Sequence, residues 1–324
     1  MCGMVKRCLI VGLGQIGMGY DLTLDPSIAV YSHARALSLH PQFVISGGVD
    51  LSFASRTLFE QHYHQPSYAD TKLALASVAA DVVVIASPTA GHREVLDIVL
   101  SNAKPEVILC EKPLAYDLSE AREMVDMCES HGVKLFVNYI RRADPGVIEI
   151  KKRIDAQAIA PPIKGTVWYS KGFFNNGSHF FNLLEFWLGA FVKAQVISVG
   201  RLWNNTDPEP DVVVEFERGK VVFMAAWEEA FSHYTIELMS PSGRLRYEQG
   251  GKWIAWQVPY ADSQFSGYKI LEAVPQLIGN DMYRYQWNVA DQLANAMSGK
   301  PHNLCTGRQA LATLEAMHHI VNQK

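Results

Sequence analysis

Five short apolar runs within the first 142 residues constrain this chain more than any other feature. "RCLIVGLG", "FVISGGVD", "DVVVIASP", "EVILCEKP" and "KLFVNYI" each hold four to seven apolar or β-branched residues and end at Gly, Pro or a polar residue. Continuous runs of this length fit strands buried on both faces, as in a parallel sheet. Helix-like segments separate them. In "SEAREMVDMCESHG", Ser119 is the expected N-cap and Gly132 the stop. Strand, helix and strand in repetition predict a doubly wound α/β sheet over residues 1–142.

Beyond about Asp144 the period changes. A helix-like "PGVIEIKKRID" leads through Pro161 and Pro162 into "IKGTVWYSKG" and then "DVVVEFERGKVVFMAAWEE", where Arg218-Gly219-Lys220 reads as a hairpin turn. Ser242-Gly243 and Gly250-Gly251 mark two further turns. Residues 143–324 are therefore expected to form an α+β domain on a mainly antiparallel open sheet, closed by a helix from about Arg308 to Asn322. At 324 residues the chain exceeds what one ordinary core supports, which agrees with two domains.

Composition narrows the partners. No apolar run approaches the roughly 20 residues that cross a bilayer, and a net charge of -4 without a basic cluster gives no reason to expect nucleic acid. Small molecules are the expected partners. The five cysteines, Cys2, Cys8, Cys110, Cys128 and Cys305, are odd in number, scattered and without a CxxC pair, which predicts free thiols in a reducing cytoplasm and no metal site. His62 and His64 lack a Cys or carboxylate at ligand spacing and read as an exposed helix end.

"GLGQIG" follows the first strand and matches GxGxxG through Gly12, Gly14 and Gly17, with Gln15 and Ile16 between. Glycine there permits the tight turn, close approach to a pyrophosphate and packing of helix on strand. Asp50 ends the second strand, where a carboxylate would bond the adenine ribose 2′-hydroxyl. That acid favours NAD, because it would repel the 2′-phosphate of NADP, although Arg56 on the next helix could reach such a phosphate. The interval from loop to acid exceeds the usual ~20 residues. "YDLTLDPSIAVYSHA" reads as an insertion before or within the first helix.

The glycine loop, the acid after strand two, "VVVIASPTAGHREVLDIVLS" and "EKPLA" together resemble the glucose-fructose oxidoreductase, inositol dehydrogenase and MocA (Gfo/Idh/MocA) family, closely in the first half and loosely in the second. The resemblance implies an N-terminal Rossmann domain and an oxidoreductase acting on a secondary alcohol or ketone of a sugar, nucleotide sugar or polyol. It places Glu111 on the nicotinamide ribose side and Lys112 beside the reacting carbon, where an ammonium stabilises alkoxide character. Pro113 restricts the backbone, a cis bond being one means, and so aims the lysine. Ser87 and Pro88 fall on the turn near the dinucleotide. His92 reads as a structural or cofactor-edge residue. Arg142 falls on the family's arginine, in contact with substrate or tying the domains together.

The family's DxxxH helix opening corresponds to "NNGSHFFNLLEFWLG". His179 takes the histidine position as the expected proton carrier, while Asn175 and Asn182 replace two acids and would bind substrate hydroxyls or hold the imidazole. Tyr169 and Lys171, on the strand before, are alternative proton carriers. Trp168, Trp203 and Trp227 are expected in strands, in the core or at a subunit contact. The resemblance also implies pairing through the open sheet, as a homodimer or homotetramer. The lost acids keep two other readings open, a dinucleotide-binding redox sensor and a redox-neutral lyase or hydrolase that uses NAD.

Overall fold

The computed structural model describes residues 5–323; Cys2 lies outside them. The chain divides into two compact units, Met1–Ala143 with Tyr283–Ala312, and Asp144–Met282 with Thr313–Lys324.

In the first unit the chain forms β1 (Lys6–Val11), α1 (His33–Leu39), β2 (Phe43–Val49), α2 (Phe53–Tyr63), β3 (Ser67–Tyr68), α3 (Thr71–Ser77), β4 (Val82–Ile85), α4 (His92–Asn102), β5 (Val107–Cys110), α5 (Leu118–His131) and β6 (Lys134–Val137). The second unit holds α6 (Pro145–Asp155), β7 (Ile163–Tyr169), α7 (Ser178–Leu188), β8 (Phe191–Trp203), β9 (Asp207–Phe216), β10 (Gly219–Ala225), β11 (Thr235–Ser240), β12 (Gly243–Glu248), β13 (Trp253–Gln257), β14 (Pro259–Ala261), β15 (Lys269–Leu271) and β16 (Gln276–Leu277). The chain then returns to the first unit with α8 (Tyr285–Met297) and β17 (Cys305–Thr306), and α9 (Gly307–Val321) runs from the first unit into the second.

The first sheet has the order β17-β6-β5-β4-β1-β2-β3, parallel throughout except for the short β17. All four side chains of β4 are fully buried. Each contributes about 1.5–3 kcal/mol, which is why a strand with two covered faces reads as an unbroken apolar run. The second sheet has the order β16-β13-β12-β11-β7-β10-β9-β8 and is antiparallel apart from the β7–β10 pair. The doubly wound parallel sheet and the mainly antiparallel one are thus both present.

Some local readings change. Asp117, not Ser119, caps α5, because its carboxylate accepts the backbone N–H of both Ser119 at 2.7 Å and Glu120 at 3.2 Å. Gly132 does end that helix, in the left-handed conformation. Trp227 lies just past β10, not in a strand, and is exposed. His64 closes α2 in the left-handed region. Cys8, Cys110, Cys128 and Cys305 are buried. Among the described residues no helix is long and apolar enough to cross a membrane.

Candidate functional site

The strands of a parallel sheet all present their carboxyl ends at one edge, and ligands of such sheets bind there. At that edge the chain leaves β1 through the glycine turn. Gly12 has φ +101°, donates its N–H to the Val49 carbonyl at 2.8 Å, and would place a Cβ 2.4 Å from the Ala86 carbonyl carbon. A Cβ on Gly17 would lie 2.0 Å from the Gly12 carbonyl oxygen. Only glycine fits at either position. Gly14 differs, since a Cβ there would meet nothing within 4 Å. Among the described residues the N–H groups of Gly14, Gln15 and Ile16 have no hydrogen-bond partner. Unpaired N–H groups beside open space form a cradle suited to an anion, so the turn fits a dinucleotide pyrophosphate.

Asp50 lies next to this cradle. Its carboxylate accepts the Leu13 N–H at 2.8 Å on one oxygen and the Ser52 N–H at 2.8 Å on the other, which fixes it while leaving lone pairs for a ligand hydroxyl. The Arg56 guanidinium turns back to the end of β2, donating to the carbonyls of Asp50 at 2.8 Å and Leu51 at 3.0 Å.

The insertion lies inside the first helix. Met18 and Tyr20 donate to Gly14 and Gln15, residues 20–32 loop out, and then His33 N donates to Ile16 O at 3.0 Å and Ala34 N to Gly17 O at 2.9 Å. The helix thus resumes across the gap. Asp21, fully buried, closes the loop by accepting from Tyr31 N at 2.6 Å, Ser32 N at 2.9 Å and Ser32 Oγ at 2.6 Å, with Arg35 Nε 3.7 Å away.

On the other side of β4, Glu111, Lys112 and Pro113 follow β5, and the Lys112–Pro113 peptide is cis. Glu111 N donates to the Ile85 carbonyl at 2.9 Å. Its Oε1 receives His33 Nε2 at 2.7 Å and Asn138 Nδ2 at 2.6 Å. Burial pushes the carboxyl up, but hydrogen bonds from His33 and Asn138, with nearby positive charge, outweigh burial and hold it below its ordinary range. His92 is fully buried, one ring nitrogen 2.9 Å from the Ser87 carbonyl and the other 3.1 Å from the Leu114 carbonyl. It therefore joins the Ser87-Pro88 turn to the segment after Pro113. Arg142 is buried and donates to Gln309 Oε1 at 2.8 Å, inside the first unit.

In the second unit a π-helical turn, Gly172–Gly177, runs directly into α7. Lys171, at φ +66°, starts it and lies 3.3 Å from Glu228. His179 sits in the first turn of α7, buried, with Asn182 three positions later and Asn175 four earlier, spacings that share a helix face. The Asn182 amide donates to Thr313 Oγ1 at 3.0 Å, and Thr313 donates in turn to Glu185. Carboxylates absent from the family's two positions stand instead on β9. Asp207 accepts the N–H of Phe174 at 3.0 Å and of Asn175 at 2.8 Å, and Glu209 accepts that of Gly172 at 2.9 Å. Burial holds the Asp207 carboxyl above its ordinary range despite these bonds. Tyr169 is fully buried, its hydroxyl donating to the Pro210 carbonyl at 2.7 Å and burial pushing it well above the usual phenol range. It is a core residue, unsuited to carrying protons.

Residues 6–139 match the family model described as an oxidoreductase family with an NAD-binding Rossmann fold, Gfo/Idh/MocA. Over that stretch, under half of its length, the chain is similar to the Gfo/Idh/MocA family. Scyllo-inositol 2-dehydrogenase (NAD(+)) of Bacillus subtilis (strain 168) is 28% identical over 215 residues, which are 61% of this chain and 58% of that protein. The chain thus spans less than two thirds of that relative. Solved structures cover more. A putative NADPH-dependent oxidoreductase from Desulfitobacterium hafniense DCB-2 superposes with a TM-score of 0.80 at 16% identity, over 99% of this chain and 95% of its own. The WlbA dehydrogenase of Bordetella pertussis, solved with NADH and UDP-GlcNAcA, gives 0.73 at 17%, over 98% and 95%. At such identities the likeness is one of fold.

Around Glu111 three residues escaped the sequence reading, namely His33, Asn138 and Gln286. Asn138 could have been found by asking which polar residue follows each strand at the ligand edge, and His33 by reading Ser32 as the helix cap it is. Gln286 had no such signal, being 253 positions from the histidine it bonds.

Proposed function

We propose that the protein is an NAD-dependent oxidoreductase acting on a secondary alcohol, or the matching ketone, of a polyol, sugar or nucleotide sugar. One observation carries the reading: the Gly12–Gly17 turn and Glu111-Lys112 leave β1 and β5 at the same carboxyl edge, on either side of β4. Two-electron chemistry comes from a nicotinamide dinucleotide when it is bound, as hydride acceptor in oxidation and donor in reduction. The N–H groups of Gly14, Gln15 and Ile16 hold its pyrophosphate, Asp50 a ribose hydroxyl, and Glu111 the other ribose. Ser87, Pro88 and His92 shape the wall between. Lys112 stabilises negative charge on the substrate oxygen as the carbon–hydrogen bond breaks. His179 takes the hydroxyl proton and returns it in the reverse direction, an imidazole being suited to both at neutral pH. Asn175 and Asn182 orient it or bind substrate hydroxyls, and Arg142 holds the β6 end of the site.

The inositol relative and the UDP-GlcNAcA complex support polyhydroxylated substrates. In the same reading the protein is a cytoplasmic homodimer or homotetramer, supported by the exposed Val192, Ile197, Val199 and Leu202 of β8. The test follows the nicotinamide absorbance band as the protein meets NAD or NADP with polyols, free sugars and nucleotide sugars. Reduction that requires one substrate and disappears in Lys112→Met is the expected result. Failure to bind either dinucleotide would sink the reading, and binding without any reduction would move it toward a redox-neutral reaction or a sensor.

A further inference from the structure

Glu111 is served by a closed set of buried polar groups. His33 is 2% exposed, Asn138 2% and Gln286 1%, too deep for solvent to substitute for their partners. Asn138 Nδ2 donates to Glu111 Oε1 at 2.6 Å and to Gln286 Oε1 at 3.1 Å. Gln286 therefore turns its amide nitrogen to the His33 ring, 2.8 Å from Nδ1 and 3.1 Å from Nε2. Nε2 faces the Glu111 carboxylate at 2.7 Å and must donate to it, so the imidazole proton resides on Nε2 and the nearer Gln286 contact leaves Nδ1 as the acceptor. Each group's orientation follows from the one before.

The backbone supports the same geometry. Val30 N donates to Tyr283 O at 3.0 Å, Gln286 N donates to Val30 O at 3.2 Å, and the rings of Tyr31 and Tyr285 stack at 5.2 Å. The looped-out segment and the start of α8 thus clamp His33 and Gln286 together. Both donors converge on Oε1 of Glu111, and among the described residues none donates to Oε2. That oxygen keeps its lone pairs for a ligand hydroxyl.

We propose that His33, fixed as the Nε2–H tautomer by Gln286, is a positioning residue that acts through Glu111, aiming the free carboxylate oxygen at the dinucleotide. The inference rests on the dinucleotide-binding reading above. Its consequence is thermodynamic coupling: removing His33 weakens dinucleotide binding only while Glu111 is there to be aimed. Groups in contact within one hydrogen-bond network give non-additive double-mutant cycles, whereas a residue that merely stabilises the fold does not couple to a ligand contact.

The experiment measures NADH affinity by fluorescence titration of the full chain, together with its thermal melt, for wild type, His33→Ala, Glu111→Gln and the double variant. His33→Ala is expected to weaken binding about fivefold or more alone and less than about twofold in the Glu111→Gln background. His33→Gln, whose amide nitrogen reaches the place of Nε2, should stay within about twofold of wild type. A parallel cycle with Gln286→Met gives a decisive result even if His33→Ala does not fold, and the same non-additivity is expected. Equal losses in both backgrounds, or no rescue by His33→Gln, overturn the inference and leave the dinucleotide reading intact. Absence of NADH binding by the wild type overturns both.

Discussion

Gly12 and Gly14 are two positions apart and answer to different constraints. The Gly12→Ala variant forces a positive φ and a 2.4 Å approach to the Ala86 backbone, and should cost roughly 2–5 kcal/mol in a denaturant or thermal melt. Gly14→Ala meets open space, so its melt should match wild type while dinucleotide affinity falls on the order of tenfold, as a methyl group occupies the ligand's place. A Gly14→Ala variant with full affinity would remove the cradle from the site. Asp50→Ser keeps an acceptor near Leu13 N but removes the charge. The ratio of NADH to NADPH affinity should then move toward NADPH by about tenfold, read by paired titrations. An unchanged ratio would free Asp50 from any part in cofactor choice. At this scale the sequence was informative wherever a residue type is nearly forced by geometry, as with Gly12 and Gly17. It was uninformative for His33, because nothing about a histidine at a helix start indicates which distant carboxylate it will meet.

Elements are held in register by their ends as well as by their buried faces. The Asp81 carboxylate, just before β4, accepts the backbone N–H of Arg7 at 2.8 Å and the Arg7 guanidinium at 2.8 and 3.0 Å, tying the starts of two central strands. The side-chain bond to Arg7, its backbone N–H and the charges of Arg7 and Lys6 hold the Asp81 carboxyl below its ordinary range, against a desolvation that raises it. A lowered folded value stabilises the protein fully above the unfolded value, about 4, and is lost as pH falls through the folded value. Asp81→Asn should therefore lower the melting temperature at pH 7 by roughly a degree or two, the pair being partly exposed, and the gap should close toward pH 3. A gap constant with pH would assign the effect to packing. Strands were legible here because their apolar runs have few alternative fates. The first helix was not, because its two parts are bridged by backbone bonds across thirteen looped-out residues, numbers 20–32, and no periodicity spans such a gap. The acids beneath the π-helical turn escaped for a related reason: Asp207 and Glu209 lie more than thirty positions from the N–H groups they bind.

For the molecule as a whole, the telling fact is that the first unit is assembled from two separated stretches of chain. Val289, Ala290, Leu293, Ala294 and Ala296 of α8 are buried in the same core as Val30, Ala34 and Leu37 of the N-terminal stretch. Burial of Val289 and Leu293 alone is worth about 3–6 kcal/mol, comparable with the whole stability of many domains. A fragment of residues 1–143 should lack a cooperative melt by circular dichroism, and one joining 1–143 to 283–312 through a short linker should regain it. Cooperative unfolding of the shorter fragment would show that α8 is dispensable. Periodicity could identify α8 as a helix but not say which core receives it, since an apolar stripe has no address. The same discontinuity has a meaning in time. A ribosome making this chain finishes all six strands of the parallel core, then adds roughly 140 further residues before α8 emerges to cover it. At 5–20 residues per second that is an interval on the order of ten seconds, in which the newborn nucleotide-binding half is held open and exposed to whatever chaperone or neighbour reaches it first.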